Sequence, residues 1–119
     1  MKLTTKEEER VLIFGIAEIS RRRWKRGLKL NYIEASSIII DEIFELAREG
    51  NHTLVEVIDI ASRIITEEDV MEGTVTLLPS IMVEPLFPDG NKLVSVPDPI
   101  RLEFRHEAIP MTELLTMQN

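Results

Sequence analysis

In the stretch Arg21-Arg22-Arg23-Trp24-Lys25-Arg26-Gly27-Leu28-Lys29-Leu30-Asn31-Tyr32, one helix must end and another must begin. Gly27 can adopt the positive φ at which many helices end. Asn31 and Glu34 have the spacing of an N-cap residue and its N3 partner, so a second helix is predicted to start there. This stretch therefore predicts a corner between two helices, and the rest of the fold is built from it.

The corner also carries most of the local positive charge, because five cations fall within the six positions from Arg21 to Arg26. At about 100° per residue, these side chains spread over more than half of a helix circumference and cannot all face one core. Trp24 shares a different stripe with Ser20 and Ala17. We therefore expect the Trp24 ring to pack inside, while the arginines, Arg21 included, point outward.

A first helix is predicted upstream of the corner, from about Lys6 to Arg26. Thr5 and Glu8 have capping-box spacing at its start. Its apolar residues go most of the way round the helix, which is more than one core face needs. They are Val11, Leu12, Ile13, Phe14, Ile16, Ala17 and Ile19. We expect two sides of this helix to be covered, one of them by a partner if the chain assembles.

A second helix is predicted from about Ile33 to Glu49, with Gly50 ending it. Its inner side carries Ile39, Ile40, Ile43, Phe44, Leu46 and Ala47, and its outer side carries Asp41, Glu45 and Arg48. We interpret the carboxylates Asp41, Glu42, Glu45 and Glu49 as a solvated helix face. A general acid-base pair among them would need a concave apolar site, and the sequence does not indicate one.

A third helix is predicted to open at Thr53 and Glu56, which again have capping-box spacing. Apolar residues from Leu54 to Ile65 recur at intervals of three and four, and Asp59 and Arg63 are placed to pair on its wet side. Thr66 and Asp69 then cap a single turn over 67–72, and Gly73 ends that turn.

A β-hairpin is predicted after Gly73, with strands Ile81–Phe87 and Lys92–Val96 around the turn Pro88-Asp89-Gly90-Asn91. Pro85 cannot donate a ladder hydrogen bond, so its strand must be an edge or carry a bulge there. A lone hairpin is only marginally stable in water, so it must lie on the helices or extend a sheet of another chain. The predicted fold class is α+β, predominantly helical (three to four helices), with a C-terminal antiparallel β-hairpin.

Residues 101–119 follow Pro97 and Pro99, which break the second strand, and have no decisive periodicity. Two interpretations stay open for them. Thr112 could begin a short helix, or the segment could be a mobile tail with Met111 and Met117 exposed.

Composition sets limits on function. The 119 residues suffice for one domain, and their net charge is -7, yet the cations concentrate in the first 30 residues. There is no cysteine, which excludes disulfides and thiolate metal sites and is compatible with a reducing compartment. We find neither an apolar signal core nor a run of about 18 apolar residues, so we expect a soluble, cytoplasmic protein without membrane association.

Catalytic chemistry is not indicated anywhere in the chain. The two histidines, His52 and His106, are too few for a zinc or nickel site, which needs three or four converging ligands. No serine or threonine belongs to a recognisable motif with an activating histidine, and there is no Gly-rich phosphate loop. We therefore predict no catalytic, cofactor-binding or metal-binding residues. The basic run 21–26 has three open interpretations, namely a solvated helix end, a protein interface and a nucleic-acid contact.

Several separated motifs, in order, resemble the gamma subunit of bacterial-type urease. They are Leu3-Thr4, the segment from Arg22 to Ala35, Asp69-Val70-Met71-Glu72-Gly73, Val83-Glu84 with Phe87 to Val94, and Asp98-Pro99-Ile100. The chain departs from that family's pattern at Ile33, at Pro85-Leu86 and at Pro97. The resemblance spans about residues 3 to 100, so we divide the chain into a gamma-like domain, 1–100, and a C-terminal extension of unknown role, 101–119.

The resemblance implies a non-catalytic structural subunit that packs against urease alpha and beta subunits in a trimer of heterotrimers hydrolysing urea to ammonia and carbamate. Nickel and the catalytic residues would belong to the alpha subunit, and this chain alone would be inactive. Our candidate interface residues lie at the corner, where Leu28 and Tyr32 are expected to bury apolar area. They are Arg22, Arg23, Arg26, Leu28, Asn31 and Tyr32.

Two alternatives from other classes remain at this point. One is a small helical regulator that binds nucleic acid through the Arg21–Arg26 corner, although an acidic chain with one tryptophan is a poor base-stacking platform. The other is an enzyme that uses the carboxylates near Asp41.

Overall fold

The computed structural model describes residues 1–116, with an α+β fold that is mostly helical, as predicted. The α-helices are α1 (Thr5–Lys25), α2 (Tyr32–Glu49), α3 (Leu54–Ala61), α4 (Thr74–Leu77) and α5 (Met111–Thr116). The strands are β1 (Ser80–Val83), β2 (Leu86–Phe87), β3 (Gly90–Asn91) and β4 (Val94–Pro97), and 3-10 turns cover Glu67–Asp69 and Arg105–Glu107. None of the helices described combines the length and the apolar character that a membrane crossing requires.

The start of α1 lies one residue earlier than the sequence predicts. Thr4, not Thr5, is the N-cap: its Oγ1 accepts from the Glu7 N–H at 3.2 Å, and its own N–H donates to Glu7 Oε1 at 2.8 Å. Consecutive threonines and consecutive glutamates give two pairs with identical spacing. Local pattern therefore could not choose between them.

The corner between α1 and α2 forms as predicted. Gly27 has a φ of +86°, and the Leu28 N–H closes the end of α1 on the Arg23 carbonyl at 3.1 Å. Asn31 caps α2 reciprocally with Glu34, at 2.8 and 2.9 Å. Fully buried Leu30 pairs with the strand-like backbone at Val70, which fastens the corner to the middle of the chain.

The core lies around α2, whose residues Ile38, Ile39 and Ile43 are fully buried. Helix α1 packs along one side of α2, and the hairpin packs against α2 and α3. The buried apolar side chains of the strands are those of Ile81, Phe87, Val94 and Val96. The hairpin is thus supported by helices of its own chain, which is the first of the two arrangements expected for it.

The hairpin is interrupted as the proline in its first strand predicts. Strand β1 pairs with β4 from Ser80↔Pro97 to Val83↔Val94, and β2 pairs with β3 in the same register. The break falls at residues 84–85, where Pro85 cannot donate, although its carbonyl accepts from the Lys92 N–H at 3.2 Å. The second strand ends at Pro97, one residue beyond the predicted Val96.

Three features in the middle of the chain differ from prediction. Helix α3 ends at Ala61 instead of continuing towards Ile65, although the predicted Asp59–Arg63 pair is present at 2.9 Å. Gly73 does not end a turn; with a φ of +87° it is the N-cap of α4. The predicted turn over 67–72 is a 3-10 turn of only three residues. Backbone pairing at Leu30 draws Val70 into an extended conformation, which stops the turn early.

The segment after residue 100 folds back on the helices. Of the two interpretations left open, the short helix is the one observed, as α5. Met111 is half-buried against the core and Leu114 is buried, so Met111 is not an exposed tail residue. Met117 lies outside the described residues.

Candidate functional site

The basic corner presents all three predicted interface arginines to solvent. Arg22 pairs with Glu18 at 3.3 Å, Arg23 pairs with Glu34 at 2.6 Å, and Arg26 is exposed at the C-cap of α1. Together with Ile19 and Lys25, they line an open groove of about 720 Å³. The outward orientation predicted for these three arginines is therefore confirmed.

Arg21 does not point outward, which corrects the prediction made for the whole run. It is only 2 % exposed, and its Nη2 donates to Asp41 Oδ2 at 2.7 Å and to Glu42 Oε1 at 2.8 Å. Arg21 stands four residues after Ala17 and three before Trp24, so it shares their buried stripe. The charge run obscured this helical position in the sequence.

Asp41 and Glu42 are correspondingly buried, so the solvated helix face predicted for this part of α2 is wrong. Arg10 also reaches Asp41, at 2.6 Å, and extends to the half-exposed Glu45 at 2.7 Å. These residues form an ion-pair cluster that joins α1 to α2. Burial raises the pKa of Glu42, and the Arg21 guanidinium opposes that rise without cancelling it.

The ion-pair cluster has the wrong geometry for catalysis. Asp41 and Glu42 are closed off from solvent, and their oxygens bond to arginines across the helix pair. A substrate would have to break these bonds and separate the helices to reach either carboxylate. The arrangement supports a structural role, and the enzyme alternative gains no support from it.

The nucleic-acid alternative also gains no support. Arg21 is withdrawn from the surface, and Arg22 and Arg23 each already pair with a glutamate of this chain. Phosphate binding at the corner would have to compete with those carboxylates.

Leu28 and Tyr32 differ from expectation, because they are 54 % and 44 % exposed instead of burying apolar area at the corner. Asn31 is half-buried and its side chain is used in the cap of α2. Ile33, which follows Tyr32, is also exposed. The corner thus offers apolar side chains beside its arginines, a composition typical of protein interfaces.

One side of α1 carries apolar residues that our list of candidate interface residues left out, although a second covered side was expected for this helix. Leu12, Ile16 and Ile19 are spaced by four and three residues and are each 41–65 % exposed. Continuing the same spacing leads to Arg23 and Arg26, which lie on the same side of the helix. We call these five residues the α1 outer face. The signal was present in the sequence as the excess of apolar residues around this helix.

A second apolar surface lies at the opposite end of α1. A groove of about 680 Å³ runs between the start of α1, the end of α2 and the hairpin. Its apolar lining comes from Leu3, Val11, Phe44 and Leu86. The Arg10 guanidinium lies 5.0 Å from the centre of the Phe44 ring, which links this groove to the ion-pair cluster.

The described part of the chain contains no group of three or more His, Asp or Glu side chains placed to hold a metal ion. His52 is half-buried at the turn before α3, and His106 stacks on Phe104 with ring centres 5.6 Å apart.

Lowering the pH should destabilise the corner between α1 and α2, because it protonates the Glu34 carboxylate. Burial alone would raise the pKa of Glu34, but the Asn31 N–H and the Arg23 guanidinium lower it on balance. A carboxyl group with a lowered folded-state pKa stabilises the fold above its unfolded pKa, and this contribution disappears as pH falls through the folded value. We expect Glu34→Gln, which keeps the cap geometry, to lose about 0.5–1 kcal/mol near neutral pH.

The measurement is chemical unfolding of Glu34→Gln and wild type from pH 7 downward. The difference between them should vanish below the ordinary value of 4.5, in the window set by the lowered pKa. Glu9→Gln, which removes a charge from the exposed start of α1, is the control. Because Glu42 has a raised pKa and contributes with the opposite sign, only the difference between variants is diagnostic. A difference that is independent of pH would contradict the ion pair.

Comparison with known proteins adds a clear family assignment. Residues 1–100 match the family model for the urease gamma subunit. A urease subunit gamma of Natronomonas pharaonis is 48 % identical over 107 residues, which cover 90 % of this chain and 97 % of that protein. A urease subunit gamma of Photorhabdus laumondii is 46 % identical over 101 residues, covering 85 % of this chain and all of that protein.

Some relatives are longer proteins. A urease subunit gamma/beta of Pseudomonas syringae is 50 % identical over 101 residues, and the chain spans only 43 % of its length. The match to the family model covers helices α1 to α4 and the hairpin described above. On this evidence the chain belongs to the urease gamma-subunit family.

Proposed function

We propose that this chain is the non-catalytic structural subunit of a nickel-dependent urease, which hydrolyses urea to ammonia and carbamate. The observation that carries the proposal is the α1 outer face, which leaves three large apolar side chains exposed beside two arginines. A protein of this size gains nothing by itself from such a stripe in water. Covering it in a complex would remove that apolar area from solvent and stabilise the assembly.

The chemistry of the α1 outer face matches that of protein interfaces. Such interfaces place apolar side chains at their centre and enrich arginine, whose planar guanidinium pairs with carboxylates and stacks on flat groups. Leu12, Ile16 and Ile19 would form the apolar part, and Arg23 and Arg26 would form the edge. The corner residues Arg22, Leu28 and Tyr32 extend this surface, while Asn31 holds its shape through the cap of α2.

We assign the partners as the urease alpha and beta subunits, assembled as a trimer of heterotrimers in the cytoplasm. The gamma/beta protein of Pseudomonas syringae joins two urease subunits in one chain, which supports a beta partner. Nickel and the catalytic residues are assigned to the alpha subunit, following the family resemblance. This chain contributes binding surface, and we expect it to be inactive by itself.

The test is assembly of the full chain with its alpha and beta partners. We expect Leu12→Asp with Ile19→Asp to keep the melting temperature of the free chain within about 2 °C, because both side chains are already exposed. The same variant should weaken complex formation tenfold or more, at roughly the cost of an interface hot spot. Gel filtration and urea hydrolysis of the reconstituted mixture report the two outcomes.

The control is Val55→Asp, which places one aspartate at an exposed apolar position on α3. It should assemble normally. If wild type, the double variant and Val55→Asp all assemble equally well, the α1 outer face is not the interface. Urea hydrolysis by this chain without partners would overturn the proposed function itself.

A further inference from the structure

The segment after the family-matched region is fastened to it by backbone hydrogen bonds. The Glu67 N–H donates to the Leu102 carbonyl at 2.9 Å, and the Glu68 N–H donates to the Glu103 carbonyl at 3.1 Å. Further along, the Ile109 N–H donates to the Arg63 carbonyl at 3.0 Å. These bonds hold residues 102–109 along the turn that follows α3.

Arg105 forms the centre of this attachment. Its Nη1 donates to Asp69 Oδ2 and to the Ile64 carbonyl, both at 2.8 Å, and its Nη2 donates to the Ile109 carbonyl. The guanidinium carbon also lies 5.2 Å from the centre of the Trp24 ring. One side chain from outside the matched region thus contacts a carboxylate, a carbonyl and an aromatic ring within it.

Asp69 connects Arg105 to the corner between α1 and α2. Its Oδ1 accepts from Trp24 Nε1 at 3.1 Å, and its Oδ2 accepts from the Thr66 N–H at 2.8 Å and hydroxyl at 2.7 Å. Its backbone carbonyl accepts from the Leu30 N–H at 2.9 Å. Asp69 is itself buried, so it depends on these donors. The Arg105 guanidinium is the cation in this set.

We infer that residues 101–116 form an intramolecular clasp, fastened by Arg105, that holds Trp24 and Asp69 and thereby the corner in place. Apolar contact supports the clasp, because Leu114 is buried and Ile109 and Met111 pack against the core. The clasp lies outside the region that the family model matches. We expect the clasp to stabilise the free chain, and this role does not depend on the proposed function.

The test uses the full chain and its single tryptophan, because all indole fluorescence then comes from Trp24. In Arg105→Gln we expect a red-shifted emission and stronger quenching by acrylamide than in wild type. Amide hydrogen exchange should accelerate roughly tenfold or more at Glu67, Glu68 and Ile109, as expected when a charge-assisted hydrogen bond is lost. Amides in the middle of α2 should stay protected, which separates opening of the clasp from global unfolding.

Arg101→Gln is the matched control, because Arg101 belongs to the same segment but contacts only the exposed carbonyls of Pro97 and Asp98. It should resemble wild type in both measurements. Leu114→Ala is a second test variant. It removes buried apolar contact from the clasp but keeps the ion pair between Arg105 and Asp69. Exchange at Ile109 should then accelerate before exchange in α2. If neither variant exposes Trp24 or accelerates these amides relative to Arg101→Gln, the clasp is overturned.

Discussion

Arg21→Met should destabilise the chain by about 3–5 kcal/mol, the cost typical of breaking a buried ion pair from one side. The substitution removes the guanidinium that lies 2.7 Å from Asp41 and 2.8 Å from Glu42, while both carboxylates stay buried between α1 and α2. Chemical unfolding monitored by circular dichroism measures the loss. The loss should shrink in acid, because a carboxyl group with a raised pKa is least costly when it is protonated.

Two further variants separate charge from packing. The triple variant Arg21→Met, Asp41→Leu, Glu42→Met replaces the charges with apolar side chains and should recover most of the stability, as buried ion pairs often do on such replacement. Arg22→Met removes an arginine whose pair with Glu18 is largely exposed, and it should change stability by less than about 1 kcal/mol. A triple variant as unstable as the single one would contradict the electrostatic explanation.

Gly50→Ala should cost about 2–5 kcal/mol, for two reasons that add. Gly50 ends α2 with a φ of +74°, and a side chain in that conformation costs about 1–2 kcal/mol. A Cβ there would also lie 2.6 Å from Pro88 Cγ, in the turn between β2 and β3, and forced overpacking costs about 1–3 kcal/mol. Thermal and chemical unfolding of the free chain measure the sum.

Gly27→Ala is the matched control for Gly50→Ala, because Gly27 has a φ of +86° and a Cβ there would meet open space. Its cost should therefore be the backbone strain alone. Adding Pro88→Ala to Gly50→Ala removes the close contact and should bring the two alanine variants together. If Gly50→Ala costs no more than Gly27→Ala, the hairpin turn does not rest on the end of α2.

Sequence patterns predicted the elements of the fold well and their contacts less well. The Asn31–Glu34 cap, the Asp59–Arg63 pair and the interruption at Pro85 were all predicted and are all present. The same kind of pattern misplaced the start of α1 by one residue and extended α3 too far. Capping and periodicity act over three or four residues, so they resolve the type of an element better than its boundary.

The candidate surface was predicted only in part. Exposure of Arg22, Arg23 and Arg26 was foreseen, whereas Leu28 and Tyr32 were expected to be buried and are not. The excess of apolar residues around α1 predicted that some of them would stay exposed within this chain. Which of them these are depends on which side of α1 packs against α2. Only packing of one helix against another fixes that side.

The sequence by itself determined where the chain turns, because glycine conformation, side-chain caps and proline all act on their immediate neighbours. It also determined the family, through motifs whose order and spacing can be seen without a structure. Only the tertiary structure decided that Arg21 pairs with Asp41, and that Arg105 reaches Asp69 from 36 residues away. Charges so far apart in the chain meet only after folding has chosen which helix faces are buried, and burial then makes each pairing necessary.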